Sequence, residues 1–555
     1  LDCFEAPCKG GCPIEQDIPE YLELCRKGLY GPALRLITEK NALPFITGTI
    51  CAHRCQGKCS RNFYEESVHI RETKLLAAEK GYSALMASLR MPEPVEDKKV
   101  AIVGGGPTGI AAAYFLGREG VPTTIFERER KLGGVPRYVI PAFRISDEAI
   151  DKDVALMEKM GVEVKLNTEA PSVAELKAQG YTHIFFAVGA WKAGRLDIPG
   201  NVVPVIGWLR DMKAGKDVSL GHVAVVGGGN TAMDAARAAL RAGAKSSTLV
   251  YRRTKKYMPA DAEELEMAIA DGVEFLELVA PVEQKDGKLI CEKMKLGDPD
   301  DKGRRKPVPT GEMVEIPCDT VVSAVGEKVE SEVFTRNGIT VDEKGIPAFK
   351  TNLEGVYAGG DAMRGPATVV EGIADAQYFA NAVIGEAHKF AIPAKAVATR
   401  EEAVAKKGVL CESAKCEGNR CLTCNVVCQV CADVCPNRSN VVIELPDGRQ
   451  QILHVDRMCN ECGNCAVFCP YDSAPYREKF TLFLTREGFD ESVNNQGFLP
   501  LGGKKVLVRL DSKVFEADLD AKNDLPADIE EGIEEGWCFK ADTLEELAEH
   551  FGLDE

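Results

Sequence analysis

The stretch KVAIVGGGPTGIAAAYFLG, residues 99–117, decides the fold of the central part of the chain. Its first five residues form a buried-strand pattern, the glycine-rich turn Gly104–Gly109 follows, and a helical run of small and apolar residues comes next. Glycines in this position allow the backbone to approach a pyrophosphate at the N-terminus of the helix. The next predicted strand, Thr123–Phe126, ends in Glu127, whose carboxylate can accept hydrogen bonds from a ribose 2′-hydroxyl. We therefore predict a Rossmann-like unit for FAD or NAD. The alternative is a glycine-rich turn in an ordinary α/β unit.

A second copy of this pattern lies about 120 residues further along the chain. The strand His222–Val226 leads into the turn Gly227–Ala232 and a helix, and the following strand, Ser247–Tyr251, ends in two arginines instead of an acid. Guanidinium groups bind a 2′-phosphate bidentately, whereas a carboxylate repels it. The second copy is therefore predicted to bind NADPH, although a pair of surface arginines is also common. The expected contacts are Gly227, Gly229, Asn230, Thr231, Arg252 and Arg253.

Further segments fit a flavoprotein with two nucleotide domains. Ile184–Gly189 and Thr320–Gly326 are apolar strands that end in Ala-Val-Gly and are suited to close each domain. A third strand runs into Asp361, which is expected to bind a flavin ribityl hydroxyl, or else to cap a helix or turn. The backbone amides of Gly365–Thr368 are then available to the isoalloxazine ring.

Composition restricts the possible functions. The chain has 555 residues, 45% of them hydrophobic and 28% charged, which is typical of about four globular units. Its net charge of −17 argues against binding to nucleic acid or an anionic membrane, and no run of apolar residues is long enough to span a bilayer. Of the 21 cysteines, seven lie within residues 3–59 and eleven within residues 411–469. This distribution indicates metal centres on either side of an enzyme body.

The N-terminal cysteines are spaced C-x4-C-x3-C-P and C-x3-C-x3-C. Such short loops suit [4Fe–4S] cubanes, because several thiolates must converge on neighbouring irons, whereas the C-x2-C pairs of a zinc site are absent here. The predicted ligands are Cys3, Cys8, Cys12, Cys51, Cys55 and Cys59. Two cubanes need eight ligands. We expect one missing thiolate immediately before Leu1, which implies a truncated chain, and an oxygen ligand from Glu72, Glu65 or Glu66. Cys25 is expected to be a core residue.

The C-terminal cysteines include the complete bacterial ferredoxin run, Cys459-x2-Cys462-x2-Cys465-x3-Cys469-Pro470. A partner run ends in Cys428, Cys431 and Cys435, and its first ligand is Cys424 or, alternatively, Cys421. The ferredoxin pattern predicts one cubane on Cys424, Cys428, Cys431 and Cys469, and a second on Cys435, Cys459, Cys462 and Cys465. Cys411, Cys416 and Cys421 are expected to be free or structural thiols, with a fifth cluster as the alternative.

Local patterns predict four further elements. They are a helix over Ile18–Leu29 capped by Asp17, a hairpin of Asn440–Leu445 and Gln451–Val455, a strand Lys505–Arg509, and an acidic helix over Thr543–His550.

Residues 3–395 resemble the NADPH-dependent small subunit of glutamate synthase and the electron-transfer half of dihydropyrimidine dehydrogenase. The resemblance rests on both cysteine groups and both glycine-rich turns, and on Leu132–Gly134, Ile140–Arg144, Tyr251–Thr254, Met258–Ala260 and Ala358–Asp361. It implies two N-terminal [4Fe–4S] clusters, from which this sequence departs in its shorter Cys51–Cys55 spacing. With the ferredoxin segment added, the chain resembles the C-terminal half of the enteric selenate reductase subunits, whose substrate we do not carry over. The implied FAD contacts are Gly104, Gly106, Pro107, Gly109, Glu127, Gly134, Arg144, Asp361 and Thr368.

The expected fold class is α/β, with two Rossmann-like domains preceded by a helical iron–sulfur domain and followed by a ferredoxin-like α+β domain. The expected limits are 1–95 for the helical domain, 96–215 and 331–395 for the FAD domain, 216–330 for the NADPH domain, 396–478 for the ferredoxin domain and 479–555 for a C-terminal appendage.

These parts together predict an NADPH-dependent iron–sulfur flavoprotein with FAD and about four [4Fe–4S] clusters. We expect it to exchange electrons with a partner redox subunit or a ferredoxin-type acceptor in a hetero-oligomeric, cytoplasmic complex. No constellation marks a substrate acid, base or nucleophile. The alternatives are a flavin-based electron-bifurcating subunit and a self-contained reductase of a small molecule. A disulfide reductase is disfavoured because residues 60–290 contain no cysteine.

Overall fold

The computed structural model describes residues 6–63, 65–218, 220–299, 305–385, 398–407, 409–410, 416–444, 450–492, 495–523 and 525–534. The chain forms two compact units. The terminal unit consists of Leu1–Gly28, His53–Ile70 and Pro393–Glu555, and the central unit of Leu29–Ala52 and Arg71–Ile392. None of the helices in these described ranges has the length and apolar character needed to cross a membrane.

The helices are α1 Pro7–Gly10, α2 Ile18–Arg26, α3 Tyr30–Lys40, α4 Pro44–Ile50, α5 Arg54–Gly57, α6 Ile70–Ser88, α7 Pro107–Arg118, α8 Gly134–Tyr138, α9 Asp147–Glu158, α10 Val173–Ala178, α11 Val205–Lys213, α12 Asn230–Arg241, α13 Ala262–Ala270, α14 Glu332–Thr335, α15 Asp361–Arg364, α16 Val369–Ile384, α17 Arg400–Ala405, α18 Glu417–Arg420, α19 Val430–Asp433, α20 Asn464–Val467, α21 Pro475–Glu478, α22 Arg486–Glu491 and α23 Ala527–Glu534.

The strands are β1 Val100–Val103, β2 Thr123–Phe126, β3 Glu163–Lys165, β4 His183–Phe186, β5 Lys192–Ala193, β6 Val202–Pro204, β7 His222–Val226, β8 Ser246–Tyr251, β9 Glu274–Glu277, β10 Val279–Lys285, β11 Lys288–Pro299, β12 Arg305–Pro317, β13 Thr320–Ser323, β14 Glu327–Lys328, β15 Val356–Ala358, β16 Asn440–Glu444, β17 Gln450–Val455, β18 Thr481–Leu482, β19 Gly497–Gly502, β20 Lys505–Leu510 and β21 Lys513–Asp518.

The central unit contains two five-stranded parallel sheets, with the strand orders β15-β4-β1-β2-β3 and β6-β13-β7-β8-β9. The first strand of each copy is continued by the predicted helix, α7 or α12, before the parallel neighbour begins. Parallel strands need such a crossover, which places the glycine-rich turn at the carboxyl edge of the sheet. Both predicted Rossmann-like units are therefore confirmed, as are the strands predicted at β4, β13 and β15. The second Rossmann-like unit also carries an antiparallel sheet with the strand order β10-β11-β12.

A buried carboxylate joins a helical layer to the first Rossmann-like unit. Asp153 of α9 is completely buried and accepts hydrogen bonds from the backbone amides of Phe45 (3.0 Å) and Ile46 (2.8 Å), at the start of α4. The first amides of a helix have no partner within it, so Asp153 caps α4 from a distant part of the sequence. Burial raises the pKa of Asp153 well above its usual value, although the two amide donors oppose this shift.

In the terminal unit, one six-stranded sheet has the order β16-β17-β18-β19-β20-β21. The predicted hairpin is present as antiparallel β16 and β17, and the predicted tail strand is β20. The expected division at residues 478/479 falls inside this sheet, because β18 pairs with both β17 and β19. Helix α2 begins as predicted, but Asp17 makes no side-chain capping bond, so that detail was wrong. The predicted acidic helix Thr543–His550 lies outside the described residues.

Replacing Asp153 should test the buried cap. We expect Asp153→Ala to lower the free energy of unfolding by about 2–4 kcal/mol, because two backbone donors lose their acceptor inside the protein. Asp153→Asn should cost less, since a neutral amide still offers one acceptor oxygen. Urea unfolding followed by circular dichroism measures both. The control is Glu148→Ala on the same helix, where a largely exposed carboxylate pairs only with Lys152. Equal stabilities of Asp153→Ala and Glu148→Ala would contradict the role of the cap.

Candidate dinucleotide and iron–sulfur sites

A cavity in the central unit lies at the carboxyl ends of β1 and its neighbours, where open α/β sheets bind their ligands. It is lined by most of the residues predicted to contact FAD, which are Gly104, Gly106, Pro107, Glu127, Gly134, Asp361 and Thr368. Two predicted contacts, Gly109 and Arg144, are not among the lining residues. The structure thus brings together residues that are separated by up to about 260 positions in the sequence.

Three of the four glycines of the first turn, Gly104, Gly106 and Gly109, differ in what surrounds them. A Cβ atom on Gly104 would lie 2.5 Å from the carbonyl oxygen of Ala187, and one on Gly109 would lie 2.0 Å from the carbonyl oxygen of Gly104. Those two glycines are required by packing. A Cβ on Gly106, in contrast, would meet only the Cα of Gly134, at 3.8 Å. The turn therefore leaves room beside Gly106, at the start of α7, where a pyrophosphate can approach.

Glu127 is held in a fixed orientation at the end of β2. Its two carboxylate oxygens accept hydrogen bonds from the backbone amides of Gly105 and Glu129, each at 2.7 Å, and the residue is 7% exposed. Because a carboxylate oxygen can accept two hydrogen bonds, these contacts still allow each oxygen to accept a ribose hydroxyl. The fixed orientation and remaining acceptor capacity of Glu127 fit its predicted role as the acceptor of a ribose hydroxyl.

Asp361 closes a turn and also lines the cavity. Its carboxylate accepts a hydrogen bond from the Ala367 amide at 3.1 Å, so the alternative turn cap is present, and the predicted ribityl contact stays a prediction. Burial raises the pKa of Asp361 to about 7, and the charges of Glu327, Glu371 and Asp375 add to the shift. Beside it, the N-terminus of α16 faces the cavity through Thr368, which places a partial positive charge there.

The second glycine-rich turn shows the same division of roles. A Cβ atom on Gly227 would lie 2.3 Å from the carbonyl oxygen of Ala324, whereas nothing lies within 4 Å of one on Gly229. The side chain of Asn230 exchanges two hydrogen bonds with Asp261, and that of Thr231 bonds to Glu327. These bonds fix the start of α12 around the open side of Gly229, where a second pyrophosphate fits.

The two arginines after β8 differ in environment. Arg252 is exposed, whereas Arg253 is partly buried and its Nε atom has no hydrogen-bond partner in the part of the chain that the structure describes. Buried donors are almost always paired in folded proteins. An acceptor at this position, such as a 2′-phosphate, would satisfy Arg253.

Arg144 binds protein carboxylates. Its guanidinium donates to Asp234 of α12 at 2.9 Å and to Glu264 of α13, and all three residues are largely buried. Burial raises the pKa of Asp234 to about 6 despite the neighbouring arginine. Arg144 thus connects the segment that follows the FAD-side helix α8 to the second Rossmann-like unit. The cofactor contact predicted for Arg144 stays a prediction.

One small cavity of the terminal unit is lined by four predicted ligands of the second ferredoxin cubane, Cys435, Cys459, Cys462 and Cys465. The backbone amides of Ser439 and Glu461 donate to the sulfur atoms of Cys435 (3.2 Å) and Cys459 (3.3 Å). Hydrogen bonds of this type stabilise thiolates and tune iron–sulfur clusters. Ligands from two separate runs therefore converge as the ferredoxin pattern predicts.

A second cavity of the terminal unit is lined by Cys8, Cys59, Cys421 and Cys424. The sequence leaves Cys421 open as a free or structural thiol, as the alternative first ligand of the ferredoxin run or as a ligand of a fifth cluster, and the structure places it beside Cys424 in this cavity. Asp433, Cys428, Cys424 and Cys431 all lie within electrostatic range of the ammonium group of Lys407. The Nζ atom of Lys407 is buried and has no hydrogen-bond partner among the described residues, which suits an anionic cluster nearby.

The remaining predicted ligands lie in several places. Cys12 and Cys55 are close to the buried Tyr21 in the terminal unit, whereas Cys51 belongs to the central unit and Cys3 lies outside the described residues. The three candidate oxygen ligands are next to cations: Glu65 with Arg61 and Arg420, Glu66 with His69, and Glu72 with Arg71. In the described ranges, no three His, Cys, Asp or Glu side chains are placed to hold one metal ion. A cubane does not need such a group, because its thiolates bind different irons.

Two parallel sheets with open glycine turns, combined with two cavities lined by cysteines, define a dinucleotide-dependent iron–sulfur oxidoreductase. Comparison with known proteins agrees. Residues 98–376 match the pyridine nucleotide-disulphide oxidoreductase family, and residues 1–84 match the family described as dihydropyrimidine dehydrogenase domain II, 4Fe-4S cluster. The chain is 32% identical to the glutamate synthase [NADPH] small chain of Escherichia coli over 424 residues, covering 69% of this chain and 89% of the other. The chain therefore belongs to the pyridine nucleotide-disulphide oxidoreductase family, in its glutamate synthase small-chain group.

Longer relatives are also similar. YgfK of Escherichia coli K12 is 40% identical over 559 residues, covering 95% of this chain and 54% of YgfK. The NADPH-Fe(3+) oxidoreductase subunit beta of Geobacter sulfurreducens is 36% identical over 439 residues, covering 70% of this chain and 63% of the other. The chain thus spans about half the length of YgfK. The predicted family, fold class and cofactor types, FAD, NADPH and [4Fe–4S], are confirmed, while the number of clusters and the ligand assignments stay predictions.

The pKa of Asp361 predicts a pH dependence of FAD binding. In the apoprotein the raised pKa of about 7 means that burial disfavours the charged carboxylate of Asp361. The folded state holds the proton of Asp361 more tightly than the unfolded state, so the free energy of unfolding falls as the pH rises from about 4 through 7. A ribityl hydroxyl that donates to Asp361 prefers the charged form. FAD should therefore bind about tenfold more tightly at pH 8 than at pH 6, measured by quenching of flavin fluorescence in the apoprotein. Asp361→Asn should remove this dependence. A pH-independent affinity of the unmodified protein would contradict the assignment.

Arg253 should determine the preference for NADPH. Arg253→Ala removes a charge-assisted hydrogen bond to the 2′-phosphate, which is worth about 1.5–3 kcal/mol, so the KM for NADPH should rise about 10- to 100-fold. The KM for NADH should stay unchanged. Steady-state reduction of ferricyanide measures both values. Lys256→Ala, an exposed cation in the same loop, is the control. An equal effect of Arg253→Ala on the two nucleotides would disprove the role.

Proposed function

We propose that this chain is the NADPH-oxidising electron-transfer module of a larger enzyme, and that it passes electrons to a partner redox subunit or protein. One observation carries the proposal: a single chain holds a flavin-type cavity and an NADPH-type turn together with two separate cavities lined by cysteines. FAD, when bound, accepts electrons as a pair and releases them one at a time, as iron–sulfur clusters require.

The residues of the central unit supply binding and orientation. Glu127 and Asp361 both line the FAD cavity, and each carboxylate is held in place by hydrogen bonds that it accepts from backbone amides. The N-termini of α7 and α16 present backbone amides and partial positive charge to anionic groups. On the second sheet, Arg253 would bind the 2′-phosphate, so that the nicotinamide nucleotide is held in a defined register.

The alternative of a thiol–disulfide reductase has little support. None of the described residues that line the FAD cavity is a cysteine. Cys291 and Cys318 are both completely buried in the second Rossmann-like unit, where burial raises their pKa values to about 12 and about 11. Thiols with such pKa values form little thiolate and exchange slowly. The cysteine-lined cavities are therefore better candidates than Cys291 and Cys318 for accepting electrons from the flavin.

The relatives support a role as a subunit. The Geobacter relative is named as a beta subunit and the Escherichia coli relative as a small chain, so both are parts of larger assemblies. We extend this property to the present chain and place it in the reducing cytoplasm, where exposed clusters and thiols persist.

Anaerobic titration tests the proposed function. NADPH should bleach the flavin absorbance and then produce low-temperature EPR signals of reduced [4Fe–4S] clusters, because the electron pair moves on singly. NADH should need at least about tenfold higher concentration, since it lacks the phosphate that Arg253 would bind. Flavin that is reduced without any cluster signal would restrict the chain to a flavin reductase. Equal reduction by both nucleotides would contradict the NADPH assignment.

A further inference from the structure

A buried polar pair lies in the wall of the ferredoxin cavity that is lined by Cys435 and Cys459. Asn440 is the first residue of β16, and His454 is opposite it in the antiparallel register with β17. Both residues line the cavity, and they are 4% and 1% exposed. Burying two polar side chains is costly unless each is hydrogen-bonded, so the partners of this pair indicate what it does.

The side-chain amide of Asn440 is fixed on both sides. Its Nδ2 atom donates to the backbone carbonyl oxygen of Cys431 at 3.0 Å, and its Oδ1 atom lies 2.9 Å from Nδ1 of His454. A carbonyl oxygen can only accept, so the amide cannot be turned around without losing the bond to Cys431. Its Oδ1 atom therefore accepts, and His454 donates from a protonated Nδ1. The histidine thus sets the orientation of the asparagine.

The backbone of the same segment contacts a cysteine sulfur. The amides of Ser439 and Asn440 both donate to the sulfur of Cys435, the first at 3.2 Å. Asn440 therefore contacts two predicted ligands at once, Cys435 through its backbone and Cys431 through its side chain. In the predicted assignment Cys431 belongs to the first ferredoxin cubane, and Cys435 belongs to the second, together with Cys459, Cys462 and Cys465.

The two sets of ligands also pack against each other. Cys431 lies on α19 and Cys465 on α20, and these two helices are in contact. Both cysteines share an apolar cluster with Ile452 of β17. His454 follows two residues later on the same strand and therefore lies on the same face of the sheet. One face of the hairpin β16–β17 thus contacts ligands of both cubanes.

We propose that Asn440, held in place by His454, is a positioning residue that raises the reduction potential of the second ferredoxin cubane. A cubane that takes up one electron becomes more negative, and hydrogen bonds to its cysteine sulfurs stabilise that state. The amides of Ser439 and Asn440 supply two such bonds to Cys435. The bond from the Asn440 side chain to Cys431 keeps this segment in place, so the two amides stay directed at the sulfur.

A higher potential makes the second cubane the preferred acceptor within the ferredoxin domain. One electron then moves from the first cubane to the second, and no bond forms or breaks. Cys462, a predicted ligand of the second cubane, is exposed, so a redox partner can approach this end of the relay. The polar pair would therefore give the relay its direction.

The inference rests on the proposed electron-transfer function, so its test measures potentials separately from NADPH oxidation. Potentiometric reduction of the full chain by dithionite, followed by EPR, gives the potential of each cubane, and Cys459→Ser identifies the signal of the second. Flavin reduction by NADPH should be unchanged in all variants of the pair. The absence of every cubane signal from the unmodified protein would count against the proposed function itself.

Substitutions of His454 test the pair. His454→Leu removes the donor to Asn440, so at the unmodified midpoint potential the ratio of reduced to oxidised second cubane should fall about tenfold. This equals a shift of about 59 mV to more negative potential for a one-electron couple. His454→Asn should restore the unmodified potential, because its amide nitrogen is separated from Cα by as many bonds as Nδ1. His454→Gln should not restore it, because its amide nitrogen corresponds to Nε2.

Asn464→Leu is the matched control. Asn464 is exposed and lies between Cys462 and Cys465, but it does not line the cavity, so the potential of the second cubane should not change. If His454→Leu fails to hold the second cubane, the comparison of His454→Asn with His454→Gln decides. Equal potentials in those two variants, or the same shift in Asn464→Leu as in His454→Leu, would overturn the proposal.

Discussion

The carboxyl edge of a parallel sheet is the constraint on which the central unit depends. Parallel strands require a crossover, and the crossover helix begins where its strand ends, so each glycine-rich turn lies at the same edge as the N-terminus of a helix. Gly106 and Gly229 are the open positions of the two turns, whereas Gly104 and Gly227 are packed against carbonyl oxygens of neighbouring strands. One structural solution, used twice, therefore provides two sites for pyrophosphates. The chemistry differs through the residue after the second strand, an acid in one copy and arginines in the other.

The terminal unit follows a different principle. It has one six-stranded sheet, but its described cysteines lie on short helices and loops outside that sheet, and buried arginines hold some of those segments together. Arg61 and Arg420 each donate to backbone carbonyl oxygens of the other's segment, so neither guanidinium is buried without partners. Thiolates that bind one cluster must lie close together. The contacts of Arg61 and Arg420 hold the cysteine-bearing segments near each other without a metal.

Sequence patterns were sufficient where the signal is local. The strands β1, β7 and β20, the hairpin β16–β17 and the ferredoxin set around Cys459 follow from periodicity and short spacing, and the structure contains each of them. Contacts between distant segments cannot be predicted from periodicity or short spacing. Arg144 was assigned to FAD because of its place in a motif, but its partners Asp234 and Glu264 lie 90 and 120 residues further along. Cys421 is a further example: its place beside Cys8 and Cys59, which belong to the other end of the chain, does not follow from the spacing within its own run.

The terminal unit places a buried cation near several of its cysteines. A chain with a net charge of −17 that also binds anionic clusters needs cations where the thiolates converge. Lys407 is such a cation: its ammonium is within electrostatic range of Cys424, Cys428 and Cys431, and burial lowers its pKa while Asp433 and those cysteines oppose that shift. An ammonium that is shared by two groups of ligands stabilises the reduced, more negative state of a cluster on either side.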